Sequence, residues 1–202
     1  MKRLYSYLAL LLALAIAMPV LAQNVASQKA YFGSASNQVI SPQGGVGLYG
    51  QIKTSGVGDL LIGVSMECAL WTATSNTATK GGGKTTSKSR AAVNVTVYVN
   101  RAEAIPGQVV YCDREQEVNL QFQSDDTINF TNDAILLEIF LRTKNANHFN
   151  FYAPNPGSGV HEVVVWVDSI VETSEGSPDI VVSNTRAAIG KRTLIIEEYN
   201  NP

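Results

Sequence analysis

Residues 58–74 read GDLLIGVSMECALWTAT, and the period of this stretch decides the fold. Taken two residues at a time, Leu60, Ile62, Val64, Met66, Cys68 and Leu70 make one apolar face, while Gly63, Ser65, Glu67, Ala69 and Trp71 make a mixed one. A period of two is that of a β-strand with one face in a core. The stretch also carries one of two cysteines and one of two tryptophans in the chain.

Strands of the same kind recur on both sides. Residues 46–53 alternate ahead of it, after a turn cluster at Ser41-Pro42-Gln43-Gly44-Gly45. Downstream, Val93, Val95, Val97 and Val99 alternate with Asn94, Thr96, Tyr98 and Asn100, which are expected to face water. A turn at Glu103–Gly107 leads into Gln108–Cys112, and Val118, Leu120 and Phe122 resume the pattern beyond a bulge expected at Asp113-Arg114-Glu115. Val160–Val171 is the second strong strand, and Ile180–Val182 and Leu194–Ile196 close the set. Short connections favour antiparallel neighbours. The chain is thus expected to be all-β, an antiparallel β-sandwich of jelly-roll or immunoglobulin-like kind with eight or nine strands. One short helix is expected near 132–143, capped by Thr131-Asn132-Asp133, because Ile135, Leu136, Ile139 and Phe140 fall on one helical face.

The N-terminus has the layout of a secretory signal peptide: Lys2 and Arg3, an apolar run from Tyr7 to about Met18, and a Val20-Leu21-Ala22 exit. The expected division is a signal peptide at 1–22, a polar, loosely anchored arm at 23–43 and a β-sandwich domain at 44–199. Removing the leader leaves 13 Lys and Arg against 17 Asp and Glu, so the formal charge moves from −2 to −4. An acidic chain lacks the basic field that holds phosphate backbones, which argues against nucleic acid as partner. No later segment is long enough for a membrane-spanning helix. Secretion to an extracellular or periplasmic space follows as the expected localisation. There Cys68 and Cys112 can pair as a single disulfide; the alternative is two separate buried thiols.

Catalytic signatures are thin. His148 and His161 lie in no hydrolase or zinc motif. Gly83-Lys84-Thr85, within the basic Ser75–Arg90 loop, lacks the first glycine and the following helix of a phosphate-binding loop. Asp113/Glu115, Asp125/Asp126, Glu172/Glu175 and Glu197/Glu198 could hold Ca2+ if brought together, but none has a calcium-loop spacing. Asn94-Val95-Thr96 and Asn129-Phe130-Thr131 are formal glycosylation sequons. Trp71, Tyr98 and Trp166 all occupy the outward parity of their strands, where they would form a binding platform for sugar rings or a protein, or pack under a covering segment.

Three functions follow as expectations. The first is a secreted, non-catalytic structural or interaction module, self-assembling by strand addition with itself or another extracellular protein. The second is a carbohydrate-binding module using Trp71, Tyr98 and Trp166 on a glycan. A hydrolase with a dispersed site is the third.

Overall fold

The computed structural model describes residues 28–78, 85–120, 135–174 and 184–200. Its named elements are ten strands: β1 (Gln28–Ser34), β2 (Gln38–Ile40), β3 (Gly45–Thr54), β4 (Gly58–Ala78), β5 (Thr85–Val99), β6 (Ala102–Glu103), β7 (Val109–Leu120), β8 (Ile135–Ala153), β9 (Gly159–Ser174) and β10 (Arg186–Asn200). One sheet runs β1-β10-β4-β8, with β2 continuing the β1 edge along β10. The other runs β3-β9-β5, with β7 and the two-residue β6 both on the far side of β5. Every pairing is antiparallel.

From β2 onward the chain changes sheet at each step except β5–β6–β7. Two five-stranded sheets, each with four strand positions once β1 and β2 are taken as one edge and β6 is set in line with β7, threaded in this alternating order form a jelly roll rather than an immunoglobulin-like sandwich, in which several consecutive strands share a sheet.

The core follows from the alternation that opened the sequence. Leu60, Ile62, Val64, Met66, Cys68 and Leu70 of β4 are buried, and so are Val93, Val95, Val97 and Val99 of β5 and Val163, Val165 and Val167 of β9. Each fully buried aliphatic side chain contributes about 1.5–3 kcal/mol relative to an exposed one. At one end the interior turns polar. Thr72 donates its hydroxyl to Gln116 Oε1 at 2.8 Å, Gln116 Nε2 donates to Thr74 Oγ1 at 2.8 Å, and Asn76 Nδ2 donates to the Val118 carbonyl at 2.8 Å.

Four expectations change. From Ile135 onward the expected helix near 132–143 is strand: β8 pairs with β4 residue by residue, from Ile135 opposite Ala78 to Ala153 opposite Leu60. Its apolar residues satisfy a helical face, but Leu137, Ile139 and Leu141 also alternate, and a 19-residue ladder with β4 outweighs the local preference. Part of the expected loose arm is sheet, since Gln28–Ser34 pairs with Arg192–Glu198 and Gln38–Ile40 with Ala187–Ile189. The basic loop is shorter than expected, because β4 runs to Ala78 and β5 starts at Thr85. The bulge on β7 falls at Tyr111, opposite the Val93/Asn94 step, and not at the charged triplet 113–115. The leader, Ile180–Val182 and the sequon at Asn129 lie outside the described residues. Among the described residues no helix is long and apolar enough to cross a membrane.

Two features tie the sheets together. Cys68 on β4 and Cys112 on β7 form the disulfide, with Cα atoms 6.6 Å apart and a sequence separation of 44. The second is Arg192. A bulge at Gly190-Lys191, opposite the single residue Glu67, turns Arg192 inward, where it is buried. Its Nε donates to the carbonyl of Gly47 at 2.7 Å, and Gly47 is itself the extra residue of a bulge in β3. Its Nη1 donates to the carbonyls of Ser36 at 2.7 Å and Gly190 at 2.9 Å, and its Nη2 to Gln38 Oε1 at 3.3 Å. Burial pushes the guanidinium pKa down, and neutral carbonyls carry its hydrogen bonds.

Reduction of the disulfide, or the Cys68→Ala/Cys112→Ala double variant, is expected to lower the unfolding free energy by about 4 kcal/mol, the chain-entropy value for a loop of this length. Urea titration with and without reductant reads this, and coincident curves would refute it. Arg192→Met removes the donors from several buried carbonyls and is expected to cost about 3 kcal/mol or more in the same titration.

Candidate functional site

The three outward aromatics do not share one surface. Trp71 projects from the β1-β10-β4-β8 sheet, whereas Tyr98 on β5 and Trp166 on β9 belong to the other sheet. A single platform of Trp71, Tyr98 and Trp166 is therefore ruled out by the alternation of strands between sheets.

On the β3-β9-β5 face, Val164 lies between Tyr49 and Tyr98, and Trp166 lies between Val46 and Thr96. The polar groups around these rings are already engaged. Tyr49 donates to Glu162 Oε1 at 3.1 Å and accepts from Gln51 Nε2 at 2.6 Å, while Asp168 accepts from Asn94 Nδ2 at 2.9 Å and Gln108 Nε2 at 3.0 Å. Asn94 and Thr96, expected to face water, are buried, so the sequon asparagine is held against Asp168. Trp166 is packed under the Ser41–Gly45 turn. A Cβ on Gly44, whose φ is +76°, would sit 2.5 Å from the indole Nε1. This face combines packing with a modest exposed strip at Tyr49 and Val46.

The Trp71 face is different. Trp71 pairs with Arg142 on β8 and Arg186 on β10, so one row across three strands reads Arg–Trp–Arg. Both guanidinium carbons lie over the indole, at 5.4 Å and 5.0 Å from the ring centroid. The next row, Lys144–Ala69–Ala188, has small residues at its centre, and β2 adds Val39 beside Ala188. A hollow of about 280 Å3 lies there, bounded by Trp71 and Arg142 at one end, Glu67 and Lys144 beside it, and Asn37 and Gln38 at the rim. That size is close to the lower bound for small-ligand pockets.

Charge in the hollow is unevenly matched. Glu67 takes Lys144 Nζ at 3.0 Å and the Lys191 backbone N–H at 3.3 Å, and the Lys144 hydrogen bond, then the backbone one, holds its carboxyl below the usual range. Arg142 and Arg186 take part in none of the ion pairs among the described residues. Gly190 keeps the wall open, since a Cβ there would stand 2.8 Å from Glu67 Oε2.

The histidines have separate roles. His161 is buried, with Nδ1 accepting from Asn100 Nδ2 at 2.8 Å and Nε2 facing the Gly157 carbonyl at 3.0 Å and Thr54 Oγ1 at 2.8 Å. Asn100 Oδ1 accepts the Glu162 N–H at 3.0 Å, which fixes the amide and makes Nε2 the protonated nitrogen. His148 sits on the open sheet with Nδ1 2.7 Å from Ser65 Oγ and Nε2 2.9 Å from Asn150 Oδ1. This resembles a nucleophile–base–orienter line, but the third group is an amide and not a carboxylate, and the backbone N–H groups of β4 on either side of Ser65 are taken up in its two ladders.

Among the described residues no three His, Cys, Asp or Glu side chains are grouped to hold a metal. Asp113 is committed to Arg90, at 3.0 and 2.7 Å, and Asp125, Asp126 and Glu175 lie outside the described residues. His161→Ala is expected to cost about 2–3 kcal/mol, by leaving the Asn100 amide without its acceptor, while the Thr54 hydroxyl keeps the Gly157 carbonyl. Thermal unfolding of the variant checks this; an unchanged midpoint would rule out the structural role.

Sequence reasoning found Trp71 but missed Arg142, which it placed in a helix, and Arg186. No local pattern links residues 71, 142 and 186; only the β8-β4-β10 register does.

No family model matches the chain, and no curated protein matches it. Solved structures give weak likenesses. Dimeric latent PorU from Porphyromonas gingivalis is 9% identical with a TM-score of 0.24, over 89% of this chain and 13% of that one. A VP2 subviral particle of infectious bursal disease virus is 10% identical with a TM-score of 0.20, over 89% and 43%. The Bacillus thuringiensis toxin parasporin-2 is 8% identical with a TM-score of 0.10, over 87% and 70%. The chain spans less than half of the PorU and VP2 chains, and at such scores none of the three bears on what it does.

Proposed function

We propose that this protein is an exported, non-catalytic interaction module that associates with a second copy of itself by strand addition along β8. The leader-like N-terminus and the buried disulfide support export, since such bonds persist in oxidising compartments. The observation that carries self-association is the open edge of β8. Among the described residues its outer side carries one bridge, where Tyr152 and Ile105 exchange backbone hydrogen bonds of 2.8 Å each way. Those bonds show that the even-numbered residues of β8 turn their N–H and C=O groups away from β4. From Glu138 to Asn150 these groups form a ready template, flanked by exposed Phe140, Leu141 and Phe149.

The sequence of β8 suits its own antiparallel copy. Pairing centred on Leu141 places Glu138 opposite Lys144 and Phe140 opposite Arg142, each twice, which joins opposite charges and a ring with a guanidinium. Phe140→Pro removes an outward N–H and leaves the β4 ladder intact. Light scattering on a concentration series is expected to show a dimer for the natural sequence and a monomer for this variant. A monomer for the natural sequence at the highest concentrations would refute the proposal.

A second reading, carbohydrate binding, is favoured by the Arg142–Trp71–Arg186 row and the hollow beside it. It assigns the ligand to Trp71 alone among the three aromatics, because Trp166 is packed under a turn and Tyr98 lies on the opposite sheet.

A further inference from the structure

We propose that the hollow beside Trp71 takes an acidic sugar, one ring bearing a carboxylate or sulfate, with the acid group held by Arg142 and Arg186. The inference rests on the carbohydrate reading and names its ligand class. Three properties of the hollow define that class. Its anion site is Arg142, which lines the hollow, together with Arg186, which stands outside the lining on the other side of Trp71; the same indole ring backs both guanidiniums, and neither is in an ion pair among the described residues. A planar guanidinium matches an oxyanion through two parallel hydrogen bonds, and a ring behind it restrains its rotamers before the ligand arrives. Trp71 is thus a positioning residue for the two arginines.

The floor is apolar and shallow. Ala69, Ala188 and Val39 offer methyl groups, the surface that the C–H face of a sugar needs. The rim supplies an amide. Asn37 stands there with its Oδ1 beside Gly190, while the Gln38 side chain turns inward to Arg192 and adds only backbone to the rim. Glu67 is neutralised by Lys144 and does not repel an anion. An acidic peptide would use the arginines but would have no use for the combination of methyl floor and amide rim. A neutral sugar would leave the arginines unmatched.

Calorimetry on the full mature chain tests this with four probes of equal length: a uronic acid oligosaccharide, a sulfated oligosaccharide, a neutral one and oligoglutamate. One or both acidic sugars are expected to bind at least tenfold more tightly than the neutral sugar and oligoglutamate, and their ranking tells carboxylate from sulfate. Arg142→Gln and Arg186→Gln are each expected to lose at least tenfold, with unchanged thermal midpoints. Lys53→Gln, on the opposite sheet, is expected to change nothing beyond a small salt-dependent effect. Trp71→Leu keeps apolar bulk and is expected to weaken binding and reduce the preference for acidic over neutral sugar.

Equal binding of neutral and acidic sugars would overturn the acidic assignment and leave the carbohydrate reading standing. Oligoglutamate binding as tightly as the sugars would overturn the sugar assignment. Failure of every oligosaccharide would overturn both, and undiminished binding in both arginine variants would place the ligand elsewhere.

Discussion

The buried guanidinium of Arg192 is the constraint on which both the sandwich and its candidate site depend. Each sheet carries a bulge near one end, at Gly47 in β3 and at Gly190-Lys191 in β10, and a bulge frees backbone groups that the ladder no longer satisfies. Arg192 answers both with one side chain, bonding the carbonyls of Gly47 and Gly190. The same group holds Ser36 and Gln38, so the segment leading into β2 is fixed to the core by the residue that joins the two sheets. On the outer side of the β10 bulge, Glu67 receives the Lys191 N–H, and Gly190 gives the hollow its depth. The inside and outside of the sheet are thus coupled through two residues of backbone.

How much of this was legible in the sequence depended on the range of the interaction. The period-two pattern of β4, β5 and β9 states which residues face inward, and the strands and core follow from it. Cys68 and Cys112 could be paired because they are the chain's two cysteines. The sandwich type was not legible, because the choice between jelly roll and immunoglobulin-like order lies in which strand neighbours which. Residues 135–143 read as helix because Ile135, Leu136, Ile139 and Phe140 fit a helical face equally well; the partner that decides the matter, β4, is some 65 residues away in sequence. The candidate site was half legible: Trp71 declared its outward parity, but its arginine neighbours come from β8 and β10.

Polarity inside the sandwich also departs from the simple alternation. Thr72, Thr74 and Asn76 continue the inward parity of Leu60–Leu70, yet they meet Gln116 and the Val118 carbonyl rather than aliphatic groups. The Thr72–Gln116–Thr74 and Asn76–Val118 bonds specify register, since a slip by one residue would break them in a low-dielectric space where the neighbouring Ser87 and Ser89 hydroxyls already have no partner among the described residues. The apolar end, by contrast, supplies most of the burial and the cross-sheet disulfide. The two ends of the jelly roll therefore contribute different things, stability at one and alignment at the other.

The position of the Arg142–Trp71–Arg186 row sets a length scale. Arg142 lies on the edge strand itself, so joining two copies along β8 would place both rows on one continuous sheet. Trp71 is one strand in from that edge, and three strand spacings of about 4.8 Å separate the two indoles laterally, about 15 Å in all. Two weak sites at that separation act on a polymer as one strong site, because the second contact forms at high effective concentration. A chain of repeating acidic units would then be held far better than any of its monomers, and the edge strand would set the valency as well as the assembly.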